Sequence, residues 1–281
     1  MMRKTLSCFK HAAAVTAEGR VVCWGKNNYG QCNVPEDLEN VVEVSCGELH
    51  TVALTAEGRV VSWGPYQIEH NKVPRDLETA ASVCCGKYHT AVITAAGRVV
   101  CWGSNSDFQC DVPPDLENVV AISSGRSHVA ALTTEGKVVC WGDDRYGVCD
   151  VPAGLENVIA ISCGYQHTAA LTAEGRVVCW GCNRYGCCDV PAGLENVVLI
   201  SCGDEHSVAV TTNGAIIYWG NTKGDRCNVP EDLENIVAIS CGDWCTAAIT
   251  AEGRVVCWGS NSKKYNVPEG LVVQTGMVVL L

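Results

Sequence analysis

Cysteine and histidine, two residue types suited to nucleophilic or metal chemistry, recur four residues apart in this chain. The pairs are Cys46/His50, Cys85/His89, Cys163/His167 and Cys202/His206. A thiol beside an imidazole could form a nucleophile and its base, or half of a zinc site. However, an active site is needed once, and Ser124 takes the cysteine place in another unit. We therefore interpret the pairs as structural, with the histidines holding their loops by hydrogen bonds.

A denser group of thiols, at Cys179, Cys182, Cys187 and Cys188, is the second chemical candidate. The spacing of the first two is that of a metal or redox motif, but this spacing alone is a weak signal. Most of the 20 cysteines fall at repeated positions inside predicted strands. We expect them to be buried, reduced and apolar in character, as free cysteines usually are. The sequence therefore predicts a protein that is not an enzyme and has neither metal nor cofactor.

The spacing of Trp-Gly dipeptides reveals the elements that carry these residues. The dipeptide begins every 39 residues, at Trp24, Trp63, Trp102, Trp141, Trp180, Trp219 and Trp258. A histidine keeps the same step from His11 to His206, and Cys245 takes the seventh place. Repeats of roughly 40 residues with several strands each are typical of propeller blades. We therefore predict one all-β domain over residues 1–281, a seven-bladed β-propeller.

One unit shows how a blade is predicted to form. Its β-branched segments 158–162, 167–172 and 176–180 favour strands, and Glu174-Gly175 favours a tight hairpin. Residues 188–190 could add a fourth strand, so we expect three to four antiparallel strands per blade. Small residues such as Ala169 in the second strand suit crowding near the axis. The tail 277–281 resembles a first strand and is predicted to complete blade one.

The repeated residues resemble the RCC1-like repeat family over the whole chain. The motif reads Ser45-Cys46-Gly47, His50-Thr51, Glu57-Gly58-Arg59 and Trp63-Gly64. A Val-Pro pair recurs once in every unit, first at Val34-Pro35. The short unit with this pair looks most like the bacterial β-lactamase-inhibitor protein BLIP-II branch. The resemblance implies a propeller that binds other proteins through loops on one face. It leaves two narrower alternatives, a BLIP-II-like enzyme inhibitor or a guanine-nucleotide exchange regulator of a small GTPase.

Strand parity predicts which face binds. Antiparallel strands place the loops after the first and third strands on one face and the Glu-Gly hairpins on the other. The hairpins are nearly identical, whereas the other loops differ in every blade and carry most of the aromatic residues. Tyr and Trp contribute strongly to protein interfaces. The candidate partner-binding residues are Tyr29, Tyr88, Phe108, Tyr146, Tyr165, Tyr185 and Trp244.

Charge narrows the class of partner. The net charge of −11 argues against a general nucleic-acid binder. The hairpins and the turns after the Val-Pro pairs carry eighteen acidic and seven basic residues, so the acidic excess lies away from the variable loops. No apolar run is long enough to cross a membrane. We expect a cytoplasmic monomer with no leader and with a protein partner, and no contact with nucleic acid or membrane.

Overall fold

The structure is a computed structural model that describes residues 4–65, 72–223, 227–259 and 266–273. These residues form 21 strands. In chain order the strands are Leu6–Cys8 (β1), His11–Val15 (β2), Val21–Gly25 (β3), Val41–Cys46 (β4), Thr51–Thr55 (β5), Val60–Trp63 (β6), Ala80–Cys85 (β7), His89–Thr94 (β8), Val99–Gly103 (β9), Val119–Ser124 (β10), His128–Thr133 (β11), Val138–Gly142 (β12), Val158–Cys163 (β13), His167–Thr172 (β14), Val177–Gly181 (β15), Val197–Cys202 (β16), His206–Thr211 (β17), Ile216–Gly220 (β18), Ile236–Cys241 (β19), Cys245–Thr250 (β20) and Val255–Gly259 (β21).

Every three consecutive strands form one antiparallel sheet, which gives seven sheets. We number them blades 1 to 7, from β1–β3 to β19–β21. In blade 5, Gly175 at the tip of the hairpin has a φ of 76°, a conformation that glycine adopts at little cost. The structure confirms the predicted seven-bladed propeller and the three strands of each blade. The fourth strand at 188–190 was wrong, because Val190 N–H donates to Cys188 O in a tight turn.

The first strand of each blade, and not the second, lies nearest the axis. Residues of β1, β4, β7, β10, β13, β16 and β19 line an axial cavity of about 50 Å³, enough for a few water molecules at most. The second strand is the middle strand of its sheet. Its alanines, such as Ala169 and Ala170, pack between neighbouring blades. The expectation that they crowd the axis was therefore wrong, because burial in this layer comes from sheet-on-sheet packing.

The core consists of apolar clusters at the blade interfaces. The cluster between blades 4 and 5 joins Leu132, Ile161, Ala170 and Trp180. Serine hydroxyls of the first strands add a polar belt near the axis, since Ser123 Oγ accepts from Cys163 N–H of the next blade at 2.9 Å. Equivalent bonds join Cys46 to Ser7, Cys85 to Ser45, Cys202 to Ser162 and Cys241 to Ser201.

The same belt closes the ring between blades 7 and 1. Cys8 N–H donates to Ser240 Oγ at 3.1 Å. The strand β1 takes the place nearest the axis in blade 1, and Val273 pairs with Thr16 at the end of the blade's second strand. The predicted role of the tail 277–281 lies outside the described residues and stays a prediction.

Candidate interaction face

The loops after the first and third strands meet at one end of blades 1, 3, 4, 5 and 6. In blade 3, Ser104 N–H donates to Tyr88 O at 2.8 Å, and in blade 5 Cys182 N–H donates to Gln166 O at 2.8 Å. We call this end of the propeller the variable face and the opposite end, with the Glu-Gly hairpins, the hairpin face. The backbone bonds fix the two loops of a blade to each other, so side chains on the variable face stand on a rigid support.

The loop after the third strand is a repeated turn in blades 1, 3, 4 and 5. A side-chain oxygen early in the turn accepts from a cysteine N–H five residues later, at 2.8 to 3.0 Å, in the pairs Asn27/Cys32, Asn105/Cys110, Asp144/Cys149 and Asn183/Cys188. Short polar side chains stabilise turns in this way. The turn holds the backbone and leaves the aromatic residue at its tip free of any role in the core.

Six of the seven predicted binding residues are large side chains exposed on this face. Their exposed fractions are 50% for Tyr29, 38% for Tyr88, 68% for Phe108, 50% for Tyr146, 42% for Tyr185 and 48% for Trp244. Cations accompany two of these rings, since Lys26 Nζ lies 5.9 Å from the Tyr29 ring centre and the Arg184 guanidinium lies 5.5 Å from that of Tyr185. The structure thus places these residues as a ring of apolar surface with positive charge beside it.

Phe108 is exposed despite an unfavourable backbone. Its φ is 61°, and the matching turn positions in blades 1, 4 and 5 are Gly30, Gly147 and Gly186 with φ of 77°, 68° and 75°. A non-glycine residue in this left-handed region costs roughly 1–2 kcal/mol. The side chain recovers little of this cost by burial, because 68% of it is exposed. The fold therefore gains nothing from phenylalanine at this position.

Tyr165, the seventh predicted residue, lies half-buried at the mouth of the axial cavity. Its ring centre is 4.7 Å from the Arg126 guanidinium and 5.6 Å from Lys87 Nζ, distances typical of cation–π contacts. It therefore belongs to a second group of residues, closer to the axis than the six exposed aromatic residues.

This inner group contains one residue from every blade, and we call it the mouth ring. Its members are Lys10, Glu48, Lys87, Arg126, Tyr165, Asp204 and Asp243. Glu48 Oε1 lies 2.6 Å from Lys10 Nζ, and Glu48 Oε2 lies 2.9 Å from Lys87 Nζ. Burial alone would raise the pKa of Glu48, but the hydrogen bonds from the two lysines lower it below its ordinary value.

The acidic part of the mouth ring is a pair of carboxyl groups on blades 6 and 7. Burial, followed by the charge of Asp243, raises the pKa of Asp204 well above its ordinary value. Burial also raises the pKa of Asp243, and Lys10 Nζ lies 3.7 Å from its Oδ2. Burial and the nearby charge of Asp243 thus favour the protonated form of Asp204. The mouth ring thus has cations on blades 3 and 4 facing acids on blades 6 and 7.

Sequence reasoning missed two features. It marked six of the seven mouth-ring positions as variable, all except Lys10, but did not foresee that the seven residues meet, because this follows from the first strand's place at the axis. It also missed exposed aliphatic side chains on the hairpin face, at Val120, Ile159 and Val198, with exposed fractions of 39%, 51% and 38%. These follow the first residue of β10, β13 and β16, where the strand register shifts. A second branched residue after Asn-Val was the available signal.

The repeated Cys–His pairs occupy the blade interfaces. Burial raises the pKa of the Cys85 thiol to about 12 and lowers the pKa of His89 to about 3. Both shifts disfavour the thiolate and imidazolium forms that a nucleophile–base pair uses. In blade 5, His167 Nε2 lies 2.8 Å from Ser207 Oγ of blade 6. The histidines thus join neighbouring blades, a longer-range role than holding their own loops.

The thiol group at 179–188 has similar surroundings. Cys187 is buried, its carbonyl oxygen accepts from Trp219 Nε1 at 2.7 Å, and burial raises the pKa of its thiol to about 12. Burial raises the pKa of Cys188 to about 11. Across the part of the chain that the structure describes, no three His, Cys, Asp or Glu side chains lie close enough together to hold a metal ion. All 20 cysteines are free thiols.

Solved structures of other proteins share the propeller fold. The CRINKLY WD40 ectodomain of the Arabidopsis thaliana receptor kinase ACR4 is 19% identical to this chain and has a TM-score of 0.72. The match covers 94% of this chain and 97% of the ectodomain. Prp20p from Saccharomyces cerevisiae, described with its binding to Gsp1p and histones, is 18% identical to this chain and has a TM-score of 0.71. The match covers 92% of this chain and 82% of the Prp20p chain. Yeast RCC1 (Prp20), solved with Kap60 bound, is 18% identical to this chain and has a TM-score of 0.72. The match covers 97% of this chain and 84% of the yeast chain.

Three further findings concern relatives in sequence, membrane-spanning helices and the repeat family. No curated protein sequence matches the chain. Among the described residues, no helix has the length and apolar character needed to span a bilayer. The regulator of chromosome condensation (RCC1) repeat matches residues 9–31, 41–64, 80–109, 119–148, 158–187, 197–223 and 236–264. These seven segments cover more than half of the sequence and one falls in each blade, so the chain belongs to the RCC1 repeat family.

Proposed function

We propose that this protein is a non-enzymatic scaffold that binds another protein through its variable face. The observation that carries the proposal is the set of six exposed aromatic residues on the variable face. The clearest of them is Phe108, which is 68% exposed with a φ of 61°. Strained residues that the fold does not need concentrate at functional sites. Exposed aromatic side chains on rigid loops also lose little conformational entropy on binding.

The neighbours support a protein partner in general terms. Prp20p is described as binding Gsp1p and histones, and the yeast protein was solved with Kap60 bound. The narrower functions, inhibition of an enzyme in the manner of BLIP-II and nucleotide exchange on a small GTPase, stay predictions, as does the BLIP-II branch itself. We further propose that the scaffold acts as a monomer in the cytoplasm, a reducing compartment in which its 20 thiols stay free.

Proximity on neighbouring blades makes three aromatic residues the best probes of this face. Tyr88, Tyr146 and Tyr185 belong to blades 3, 4 and 5, and each is at least 38% exposed. A Tyr88→Ala, Tyr146→Ala, Tyr185→Ala variant removes apolar contact area without touching the interfaces between blades. The matched control on the hairpin face is Val120→Ser, Ile159→Ser, Val198→Ser, which also removes three exposed apolar side chains on consecutive blades.

The experiment is capture of partners from native lysate on wild type and on both variants, with proteins identified by mass spectrometry. We expect a partner that wild type and the hairpin-face variant retain and the tyrosine variant loses. The identity of that partner separates the narrower functions, since a hydrolytic enzyme supports inhibition and a GTPase supports exchange. Loss of the partner only in the hairpin-face variant would move the site to the opposite end of the propeller and refute the proposal.

A further inference from the structure

The interface between blades 7 and 1 lacks a contact that recurs between other blades. At five interfaces a buried histidine Nε2 lies within hydrogen-bond distance of a hydroxyl in the next blade, 2.6 to 3.4 Å apart, in the pairs His11/Thr51, His50/Thr90, His128/Thr168, His167/Ser207 and His206/Thr246. Cys245 takes the histidine place in blade 7, and Ala12 takes the hydroxyl place in blade 1. This interface, which we call the seam, therefore cannot form the histidine contact.

A second thiol fills the room that the missing histidine leaves. In blade 6, a Cβ atom built on Gly203 would lie 2.5 Å from Cε1 of His206, because the imidazole packs on this glycine. At the matching Gly242 of blade 7, no imidazole is within reach, and the nearest side-chain atom is Cys8 Sγ of blade 1, at 3.1 Å from such a Cβ. The sulfur of Cys8 thus occupies the pocket that Cys245 faces from the histidine position.

The two thiols lie in the same buried apolar cluster at the seam. Cys8 is 5% exposed and Cys245 is 1% exposed. The hydrogen bond with Cys245, followed by burial, raises the pKa of Cys8 well above its ordinary value, and burial raises the pKa of Cys245. The backbone is held on both sides of the pair, because Cys8 N–H donates to Ser240 Oγ at 3.1 Å and Gly242 N–H donates to Cys245 O at 2.8 Å.

We propose that Cys8 and Cys245 form a reversible disulfide that fastens the seam of the propeller under oxidising conditions. The oxidant is a low-molecular-weight disulfide such as glutathione disulfide. One seam thiol, as thiolate, attacks the oxidant and releases one reduced thiol. The other seam thiolate then attacks the mixed disulfide and releases the second. Together the two seam thiols lose two electrons and two protons and form one sulfur–sulfur bond. The sulfur–sulfur bond of the oxidant is broken, and the oxidant is reduced to two thiols.

Burial determines how this oxidation proceeds. Neither sulfur is accessible to the oxidant in the closed ring, so the seam must open at β1 before the mixed disulfide can form. Oxidation is therefore slow, and its rate follows the opening of the seam. Once formed, the bond encloses most of the chain in one covalent loop, which restricts the unfolded state strongly. We expect the melting temperature to rise by roughly 10 °C on oxidation.

The test is a thiol map of the full-length protein after equilibration in glutathione redox buffers, with and without a sub-denaturing concentration of urea that lets the seam open. Free thiols are alkylated under denaturing conditions and peptides are identified by mass spectrometry. We expect a linked peptide pair containing Cys8 and Cys245, lighter by two hydrogens, while Cys46, Cys163 and Cys202 remain alkylated. Alkylation of both seam cysteines in the oxidised sample with urea, or linkage of Cys8 to a different cysteine, would overturn the proposal.

Two variants separate the disulfide from general effects of oxidation. Cys245→Ser should give no linked peptide and no rise in melting temperature on oxidation. Cys241→Ser, which removes a buried thiol of the same blade, should keep both. An equal rise in melting temperature for Cys245→Ser and wild type would contradict a role of the seam pair. If either variant fails to fold, the map of the wild-type protein still decides.

Discussion

Neighbouring residues of the same loop contribute to the blade interfaces and to the variable face, and they differ in burial. In blade 3, His89 is fully buried while the residue before it, Tyr88, is 38% exposed. At the interfaces the same residue types return in blade after blade because each fills the same gap between two sheets. The variable face has no such gap to fill, and its residues differ from blade to blade. The comparison indicates that one set of residues builds the propeller and leaves the other set available for a partner.

Acid should damage the interfaces more than any single substitution. Burial lowers the pKa of His11, His89 and His167 to about 3 and that of His128 to about 4. These imidazoles bind protons in the unfolded chain below pH about 6.5 but stay neutral in the folded one. Stability is therefore unaffected above that pH and falls as the pH drops toward the folded-state values. At pH about 5 each histidine costs about 2 kcal/mol, or about 8 kcal/mol for the four.

We expect cooperative unfolding with a midpoint near pH 5, since a typical domain is stable by about 5–15 kcal/mol. Circular dichroism across a pH series measures it. The triple tyrosine variant serves as control and should give the same curve as wild type. A propeller that stays folded at pH about 4 would show that the histidines do not titrate as buried groups.

A pair of aromatic substitutions in blade 4 gives the next largest difference. Trp141 is 7% exposed and its Nε1 donates to Gln109 O of blade 3 at 3.1 Å, whereas Tyr146 is 50% exposed. Trp141→Ala should lower the free energy of unfolding by about 3–5 kcal/mol. Tyr146→Ala should change it by less than about 0.5 kcal/mol. Urea titration measures both values, and equal losses would abolish the distinction between the two regions.

Removing a hydroxyl at one blade interface and adding one at another should change the free energy of unfolding in opposite directions, which tests the histidine contacts. Thr51 Oγ1 lies 2.6 Å from His11 Nε2 and donates to Gln31 O at 2.7 Å, so Thr51→Val should cost about 1–2 kcal/mol. Blade 4 has Val129 at the matching position, and both nitrogens of His89 lack a partner among the described residues. Val129→Thr should therefore stabilise the protein by about 1 kcal/mol. A loss of stability in both variants would mean that the hydroxyl is not what these interfaces need.

Much of this arrangement could be predicted from the sequence, because local patterns determine it. β14 matches its predicted span, β13 ends one residue later than predicted, and β15 is shifted by one residue to Val177–Gly181. Gly175 takes the positive φ that its hairpin requires. The 39-residue period predicts the number of blades, since each unit is one sheet.

Relations between blades could not be predicted in the same way. Which strand lies at the axis depends on how seven sheets close into a ring, so the alanines of the second strand were misplaced. The hydroxyls at 51, 90, 168, 207 and 246 follow a histidine by 40 residues, one more than the period, and this offset was the missed signal of interblade contact. The mouth ring depends on the same closure. For the aromatic residues, sequence variation between blades was sufficient to place them on one face.

Phe108→Gly should give a small change in stability and the sharpest contrast between the regions. Glycine relieves the φ of 61° but makes the unfolded chain more flexible, so we expect stabilisation by up to about 1 kcal/mol. The same substitution should weaken partner binding, because it removes the most exposed aromatic side chain. Thermal melting and partner capture measure the two effects. A destabilised variant with unchanged binding would assign Phe108 to the fold.

In our proposal, the exposed aromatic residues of the variable face bind the partner and contribute nothing that the fold needs. The most direct test is calorimetric titration of the captured, purified partner against wild type, the triple tyrosine variant and the hairpin-face control, with melting temperatures measured on the same samples. Three interface tyrosines at about 1–2 kcal/mol each predict a loss of affinity of at least about 100-fold for the tyrosine variant. Its melting temperature and both values for the control should match wild type. Equal affinity for the tyrosine variant and wild type would contradict the account.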